Sequence, residues 1–216
     1  MLNRNCTSMS RALVLLLALA TLTGCSLTGR KAEPVETYVL ESRGDATSTV
    51  GATTAAILKI SLPTSAPEYA TARMAYVEQP YRIDYFARHA WADTPTRMLK
   101  PLLTQTLTNC GLFRFVFSDS AGVDETLRLD SGITEFAQWF SEDASEIRLS
   151  IRFDLIDVAH RTMLLSQTIS ITEPALSRDP YAGVVAANRA VQRALDQLVA
   201  LLHDPAVAFD ARRNSK

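Results

Sequence analysis

One cysteine near the start of the chain carries the clearest chemical signal in the sequence. Two arginines within the first eleven residues precede a short apolar run, ALVLLLALA, and Leu22, Thr23, Gly24 and Cys25 follow that run. This order predicts a removable export signal over residues 1–24, because nine apolar residues are too few to cross about 30 Å of hydrocarbon as a helix. The four residues resemble a bacterial lipobox, in which cleavage exposes a cysteine whose thiol carries diacylglycerol. The sequence therefore predicts lipidation at Cys25.

Acylation at Cys25 would hold the mature chain on a membrane. One acyl chain gives marginal membrane binding and several give stable anchoring. Ser26 rather than an aspartate follows the cysteine, which in the lipoprotein sorting pattern favours the outer membrane. The alternatives are an ordinary signal peptide with a chance cysteine, or a buried helix. Because Cys6 leaves with the signal, Cys110 is a lone thiol, and its place in an apolar helical stripe predicts burial.

Patterns of catalytic chemistry are absent from the rest of the sequence. No G-x-S-x-G, phosphate-binding glycine loop, H-E-x-x-H or paired C-x-x-C motif occurs. His89 is expected on a loop, His160 in a tight turn and His203 at a helix end, and none has a second histidine four residues away. We expect no enzyme, no cofactor and no metal. A hydrolase would need a serine, a histidine and an acid to converge from separate elements.

Composition limits the class of protein further. The chain has 216 residues, 22 basic and 23 acidic side chains, 47% hydrophobic residues and three cysteines. These values exclude a disulfide-stapled miniprotein, a low-complexity chain and a nucleic-acid-binding protein defined by bulk basic charge. After removal of residues 1–24 the chain has 192 residues, which is enough for one domain with a substantial core.

The first half of the mature chain is expected to contain short strands and one helix. Residues 25–36 contain Gly, Pro and charges without an apolar period, which predicts a lipidated tether. A helix is expected between its N-cap, Thr94, and a left-handed C-cap residue, Gly111, with Pro101 disturbing its first turns. The expected strands before and after it are 37–40, 55–62, a hairpin of 71–77 with 82–86, and 112–117.

The second half predicts three long antiparallel strands and a final helix. The strands are expected at 126–139, 146–158 and 163–172, and apolar residues alternate with polar ones along the middle strand. A helix from Pro180 to His203 has one apolar face, which Asn188 interrupts as a buried or interfacial amide. We predict an α+β fold with two layers, in which two amphipathic helices pack on one face of an antiparallel sheet. We expect residues 37–205 to form this single domain and residues 206–216 to form a loose tail.

A set of motifs along the mature chain resembles a known family. Tyr38-Val39-Leu40, Arg73-Met74-Ala75-Tyr76, Tyr85-Phe86 and His89-Ala90-Trp91-Ala92-Asp93 precede the amphipathic helix and Leu112-Phe113. In this order they are similar to the ABC-type transport auxiliary lipoproteins, which accompany MCE-domain lipid-trafficking systems and include the paraquat-inducible lipoprotein. The resemblance spans essentially the whole mature chain. It implies partnership with an MCE-domain protein, its permease and its ATPase, and assembly of several copies by family analogy.

Five aromatic residues are candidates for contact with such a partner, namely Tyr76, Tyr85, His89, Trp91 and Trp139. Tryptophan and tyrosine often anchor protein interfaces because they combine a large apolar surface with a polar group. The alternative for Trp91 is core packing over the start of the first helix. For Trp139 the alternative is the end of a strand.

The expected function is that of a non-enzymatic, outer-membrane-anchored periplasmic lipoprotein. The resemblance implies that it docks on the MCE protein of an ABC phospholipid transport system and secures the membrane-distal end of a lipid conduit. Two alternatives remain open. One is an independent lipid or hydrophobic-ligand carrier with a cavity between sheet and helices, and the other is an envelope adaptor resembling the amino-terminal modules of Tol-system proteins.

Overall fold

The computed structural model describes residues 33–41, 54–119 and 122–204. Cys25, the rest of the lipobox, residues 25–32 of the expected tether and the expected C-terminal tail lie outside the described residues. Within them the strands are β1 Glu36–Tyr38, β2 Ile57–Ile60, β3 Thr64–Ser65, β4 Arg73–Gln79, β5 Arg82–Trp91, β6 Phe115–Phe117, β7 Leu127–Phe140, β8 Ser145–Asp157 and β9 Thr162–Ala175. The helices are α1 Pro95–Asn109 and α2 Pro180–His203, and a 3-10 turn covers Pro67–Tyr69.

The longest strands form the centre of one sheet. β8 pairs antiparallel with β7 on one side and with β9 on the other along nearly its whole length. The opposite edge of β7 is shared by three short strands, β2, β3 and β4, which follow one another along it. β6 extends the sheet beside β2, while β5 and then β1 extend it beside β4.

The α+β class is confirmed, but the sheet is mixed rather than antiparallel. β2, β3 and β4 run parallel to β7, β6 runs parallel to β2, and β1 runs parallel to β5. Parallel neighbours need a crossover connection, and α1 lies in the connection that carries the chain from β5 back to β7. Apolar alternation identifies a strand without specifying the direction of its neighbour, which is why the sequence prediction missed this pairing.

Both helices cover the same side of the sheet, as predicted. α2 packs on β8 and β9, while α1 packs on β2 and β6 and touches α2. Alternate side chains of β8 point into this layer, and those between them face the opposite side of the sheet. The largest fully buried side chains belong to both layers: Leu58, Ile60, Leu99, Leu103, Leu107, Leu129, Leu149, Ile151, Phe153, Leu155, Leu195 and Leu198.

The limits of α1 follow from local signals. Thr94 is the N-cap with an extended backbone, although its side chain makes no capping hydrogen bond, and Pro95 takes the first helical position. The helix is continuous through Pro101, whose exposed ring does not end it. Gly111 follows with a φ of +70°, a conformation that a side chain would strain. Cys110 is buried, as expected, and burial raises the pKa of its thiol.

The predicted limits of α2, Pro180 and His203, are confirmed. The Asp179 carboxylate accepts a hydrogen bond from the Ala182 amide at 2.9 Å and so caps the helix. The buried face near this end is made of small residues, which lets α2 lie close to the sheet. A Cβ added to Gly183 would come within 2.2 Å of the side-chain oxygen of Gln138. Gln138 in turn donates to the Asp179 carbonyl at 3.2 Å.

Asn188 connects α2 to the start of the folded chain. Its side-chain oxygen accepts from the Glu41 amide at 2.7 Å, and its amide nitrogen donates to the Val39 and Val184 carbonyls at 3.3 and 3.0 Å. The expected satisfied amide is therefore present, and it holds the backbone just after β1. In the described part of the chain, neither helix has the length and apolar character needed to cross a membrane.

Candidate functional site

An open groove lies where β4, β5 and the end of β7 meet the segment before α2. Its volume is about 570 Å³, and its lining residues are Tyr76, Glu78, Tyr85, Phe86, Ala87, Phe140 and Arg178. β4 and β5 form the predicted hairpin, in which Tyr81 takes the positive φ of the turn. Phe140 is the last residue of β7, so the sheet ends at the groove.

Three half-buried aromatic rings form the apolar part of this groove. The ring of Tyr76 lies 4.6 Å from that of Phe86 and 6.0 Å from that of Phe140, measured between centroids, and Phe86 and Phe140 are 6.4 Å apart. Tilted and edge-on pairs at these distances are the favourable geometries for aromatic contacts. The cluster is therefore held together by its own contacts while each ring keeps part of its surface exposed.

One cationic and one anionic side chain stand at the margin of the groove. The Arg178 guanidinium lies 5.6 Å from the centre of the Phe140 ring and donates to the Glu142 carbonyl at 2.7 Å. Glu78 is exposed at the other margin. An apolar floor with a few polar groups at its edge is the usual composition of a binding groove.

Tyr85 lines the groove with its ring, but its hydroxyl is engaged elsewhere. The hydroxyl donates to the Glu68 carbonyl at 2.9 Å, and the Arg73 guanidinium covers one ring face at 4.1 Å from the centroid. These contacts fix the ring orientation, so Tyr85 supports the groove and leaves hydrogen bonding there to other groups.

His89 lies in β5 rather than on the expected loop, beside the aromatic cluster. Its ring stacks on that of Tyr38 at 6.0 Å and meets the edge of Phe86 at the same distance. Its Nδ1 is 3.1 Å from the Tyr38 hydroxyl and 3.6 Å from the Glu36 carboxylate. Burial and the nearby Glu36 carboxylate raise the pKa of Tyr38 to about 12. These contacts join β1 to the groove.

Trp91 and Trp139 lie apart from this cluster. Trp91 is 4% exposed and stacks on Phe136 at 5.3 Å, so core packing describes its position. Trp139 and Phe140 are consecutive in β7 and point to opposite faces of the sheet. The Arg148 guanidinium covers Trp139 at 4.0 Å, and the indole Nε1 is buried without a hydrogen-bond partner among the described residues.

The remaining histidines have local structural roles. His160 lies in the β8–β9 turn, with its Nδ1 2.8 Å from the Asp157 carboxylate, and the Nδ1 of His203 is 2.8 Å from the Val199 carbonyl one turn earlier in α2. Across residues 33–41, 54–119 and 122–204, no three His, Cys, Asp or Glu side chains converge as a metal site.

Sequence reasoning found part of the groove. Three of the predicted residues, Tyr76, Tyr85 and His89, lie at one end of the sheet. The other two rings of the aromatic cluster, Phe86 and Phe140, directly follow the predicted residues Tyr85 and Trp139 in the sequence. Glu78 and Arg178 were missed, because both are exposed charges, one near the end of β4 and the other in the segment before α2, and nothing in their spacing links them. The adjacent aromatics at 139 and 140 did contain a usable signal: strand alternation allows only one of them to face the groove.

The fold is an α+β domain with an open aromatic groove at one end of its sheet. The family model for the ABC-type transport auxiliary lipoprotein component matches residues 38–199. Because this match covers most of the chain, the protein belongs to that family, as the motifs indicated. No curated relative matches the chain at a significant level.

Two solved structures share the fold. A crystal structure of a protein from Xanthomonas campestris is 16% identical, covers 77% of this chain and 94% of its own, and has a TM-score of 0.67. A crystal structure of an uncharacterized protein is 13% identical, covers 79% of this chain and 99% of its own, and has a TM-score of 0.62. At these identities the likeness concerns the fold alone.

Proposed function

We propose that this chain is a non-enzymatic periplasmic lipoprotein, anchored to the outer membrane through Cys25, that docks on the MCE-domain protein of an ABC lipid transporter. One observation carries the proposal: the family match covers residues 38–199, from β1 into α2, and follows the lipobox by thirteen residues. The chain has no phosphate-binding glycine loop, so ATP hydrolysis belongs to another subunit of the system.

The docking surface that we propose consists of Tyr76, Phe86, Phe140 and Tyr85, with His89 at its margin. Half-exposed aromatic rings on rigid strands supply a large apolar area at little cost in side-chain entropy. Trp91 has almost no surface to offer a partner, and Trp139 faces the other side of the sheet. These two residues are therefore left out of the surface.

The packing between sheet and helices favours docking over the carrier alternative. A carrier would need a cavity between the two layers, yet Leu103, Phe153 and Leu195 meet there with no exposed surface. Protein cores packed in this way have few voids larger than a water molecule. The adaptor alternative predicts a different set of partners, so partner identification separates it from the transport role.

The first experiment identifies the partners of the native lipoprotein. The full-length protein is purified from detergent-solubilised envelopes after mild crosslinking, and captured proteins are identified by mass spectrometry. We expect an MCE-domain protein with its permease and ATPase. Recovery of the protein alone with bound lipid would support the carrier, and recovery of unrelated envelope proteins would support the adaptor.

A pair of phenylalanine variants tests the docking surface. Phe86→Ala should reduce capture of the MCE protein at least tenfold, because it removes the ring between Tyr76 and His89. Phe115→Ala is the matched control, since Phe115 is 58% exposed on β6, beyond β2. Equal capture by both variants would exclude the groove as the docking surface.

The anchor has a separate test. Cys25→Ala should abolish acylation and release the protein from membranes, and a lipoprotein signal peptidase inhibitor should make the unprocessed precursor accumulate. Membrane attachment that persists in the variant and resists the inhibitor would contradict the lipoprotein assignment.

A further inference from the structure

β9 is a long edge strand of the sheet. Its fourteen residues, Thr162–Ala175, pair with β8 on one side, and no other strand of the described chain pairs with them on the other side. The other strands at the ends of the sheet, β1 and β6, have only three residues each. An exposed edge as long as β9 presents a row of backbone donors and acceptors that can pair with another chain.

The sequence of β9 lacks most of the features that normally prevent such pairing. Proteins protect long edges with charged side chains, proline or bulges. Residues 162–172, TMLLSQTISIT, contain no charged residue, no proline and no glycine. The one shift in register with β8 falls near the start of the strand, between Met163 and Leu165. The rest of the uncharged segment is regular and open to pairing.

Pro174 indicates which backbone groups of β9 face outward. Proline lacks an N–H and is tolerated in an edge strand where that position faces away from the neighbouring strand. The Pro174 carbonyl accepts from the Arg189 guanidinium at 2.7 Å. Residues of an antiparallel strand alternate between bonding to the neighbour and facing away from it, and the pairing with β8 is regular from Pro174 back to Leu165. The residues whose backbone groups point away from β8 are therefore Ser166, Thr168, Ser170 and Thr172.

A second copy of the same strand is complementary to this edge. Antiparallel pairing of the whole uncharged segment with its copy places Gln167, the middle residue, on a two-fold axis. Leu165 then lies opposite Ile169 of the second copy, and Ser166 lies opposite Thr168 of the second copy. Outward-facing residues meet outward-facing residues, apolar side chains meet apolar ones, and hydroxyls meet hydroxyls, which are favourable cross-strand pairs.

The charges at the end of β9 also favour an antiparallel pair of copies. The Glu173 carboxylate binds Arg189 and Arg193, each at 2.7 Å, and forms a charged cluster there. In the antiparallel pair Glu173 of each copy lies next to the β8–β9 turn of the other, where Asp157 and Arg161 carry opposite charges. The two clusters are then about 40 Å apart along the strands. Parallel pairing would instead place the two clusters side by side.

We infer that β9 pairs antiparallel with β9 of a second copy of this chain, which joins the two sheets into one around a two-fold axis at Gln167. Because both copies use the same edge, the contact closes on itself and produces a dimer instead of an open chain of subunits. This interface depends neither on the lipid anchor nor on the groove proposed for docking.

Opposite charges introduced at one position of β9 test the pairing. Thr168 is exposed, and in the pair its side chain and that of the second copy are diagonal neighbours about 7 Å apart. Thr168→Lys or Thr168→Glu alone therefore brings like charges together, whereas a mixture of the two variants brings opposite charges together. Thr37→Lys is the matched control, because Thr37 is exposed on β1, the edge strand beyond β5.

The full-length protein is purified in detergent, and its mass is measured by native mass spectrometry at several concentrations. Thermal unfolding checks that each variant is folded. We expect dimers of the wild type and of Thr37→Lys, at least a tenfold loss of dimer in each Thr168 variant, and recovery of a mixed dimer when the two Thr168 variants are combined.

Four results would overturn the inference. The first is a monomeric wild type, and the second is dimerisation of both Thr168 variants at the wild-type level. The third is a wild type that forms assemblies of variable size, which would mean that the edge aggregates without a defined register. The fourth is loss of dimer without recovery in the mixture, which would exclude pairing of β9 with its own copy.

Discussion

The apolar side chains between the helices and the sheet differ from those in the groove in one respect, which is access to solvent. Leu195, Leu198 and Phe153 have no exposed surface, whereas Tyr76, Phe86 and Phe140 are only half buried although they contact one another. Both regions use large apolar residues on rigid elements. We expect the first region to contribute mainly to stability, and the second is the surface that we propose for docking.

A core truncation should give the largest loss of stability. Leu198→Ala removes a fully buried side chain from α2 and should lower the free energy of unfolding by about 3 kcal/mol, because the cavity cannot close completely. Denaturant unfolding measures this effect. Leu176→Ala is the same substitution at an 89% exposed position and should change stability by less than about 0.5 kcal/mol. Similar losses in both variants would contradict the assigned core.

A methyl group added at Gly183 tests how closely α2 approaches the sheet. In a free helix, alanine is more favourable than glycine by about 1 kcal/mol. Here the added Cβ would lie 2.2 Å from the Gln138 oxygen, so Gly183→Ala should instead destabilise the protein by about 2 kcal/mol. Combining it with Gln138→Ala should cost less than the sum of the two single changes. A stabilising Gly183→Ala would show that α2 has room to move away from β7.

The groove should show the opposite balance between stability and binding. Phe86→Ala should lower the free energy of unfolding by only about 1.5 kcal/mol, roughly half the value for a buried phenylalanine, and yet reduce partner capture at least tenfold. Thermal unfolding and crosslinked capture on the same preparations measure the two effects. Loss of capture in proportion to loss of stability, as in Leu198→Ala, would remove the distinction between the two regions.

The smallest effect concerns a carboxylate between α2 and β9. Burial opposes ionisation of Glu173, but hydrogen bonds and charges from Arg189 and Arg193, each at 2.7 Å, outweigh it and hold the pKa of the carboxyl below its ordinary 4.5. Its stabilising contribution is therefore complete above about pH 4.5 and is lost as the pH falls through the lower pKa of the folded state. Glu173→Gln should cost about 1 kcal/mol at pH 7.

The pH dependence of that difference is the measurement that checks the assignment. The gap in unfolding free energy between the wild type and Glu173→Gln should shrink as the pH is lowered below 4.5. A gap that stays constant down to pH 3 would mean that the ion pairs with the two arginines contribute nothing to stability.

Elements with a strong local signal could be predicted from the sequence. α2 begins at Pro180 after its Asp179 cap and ends at His203, as the apolar period required, and β7, β8 and β9 were placed within three residues at every end. Alternation of apolar residues specifies these strands because one face of each is buried. Short β2, β3 and β4 gave weaker signals, and nothing local to them encodes a parallel partner more than sixty residues away.

The groove was only partly predictable for a related reason. Tyr76 and Tyr85 lie on the two strands of the hairpin that the sequence predicted, so their proximity followed from that pairing, whereas His89 was expected on a loop and lies in β5. Arg178 reaches the groove because the segment between β9 and α2 folds back on the end of β7, and only tertiary contacts determine that return. Trp91 illustrates the converse: its residue type is typical of an interface anchor, and its place in the sheet buries it.

The attachment of β1 has a mechanical consequence. β1 is three residues long and runs parallel to β5, and Asn188 holds the chain just beyond it. A pull from the tether along the strand loads the β1–β5 hydrogen bonds together, in shear, instead of opening them one at a time. The bonds from Asn188 then pass the load to α2, the longest helix of the described chain. With the anchor and the docking that we propose, tension on the tether would therefore be borne by the body of the domain.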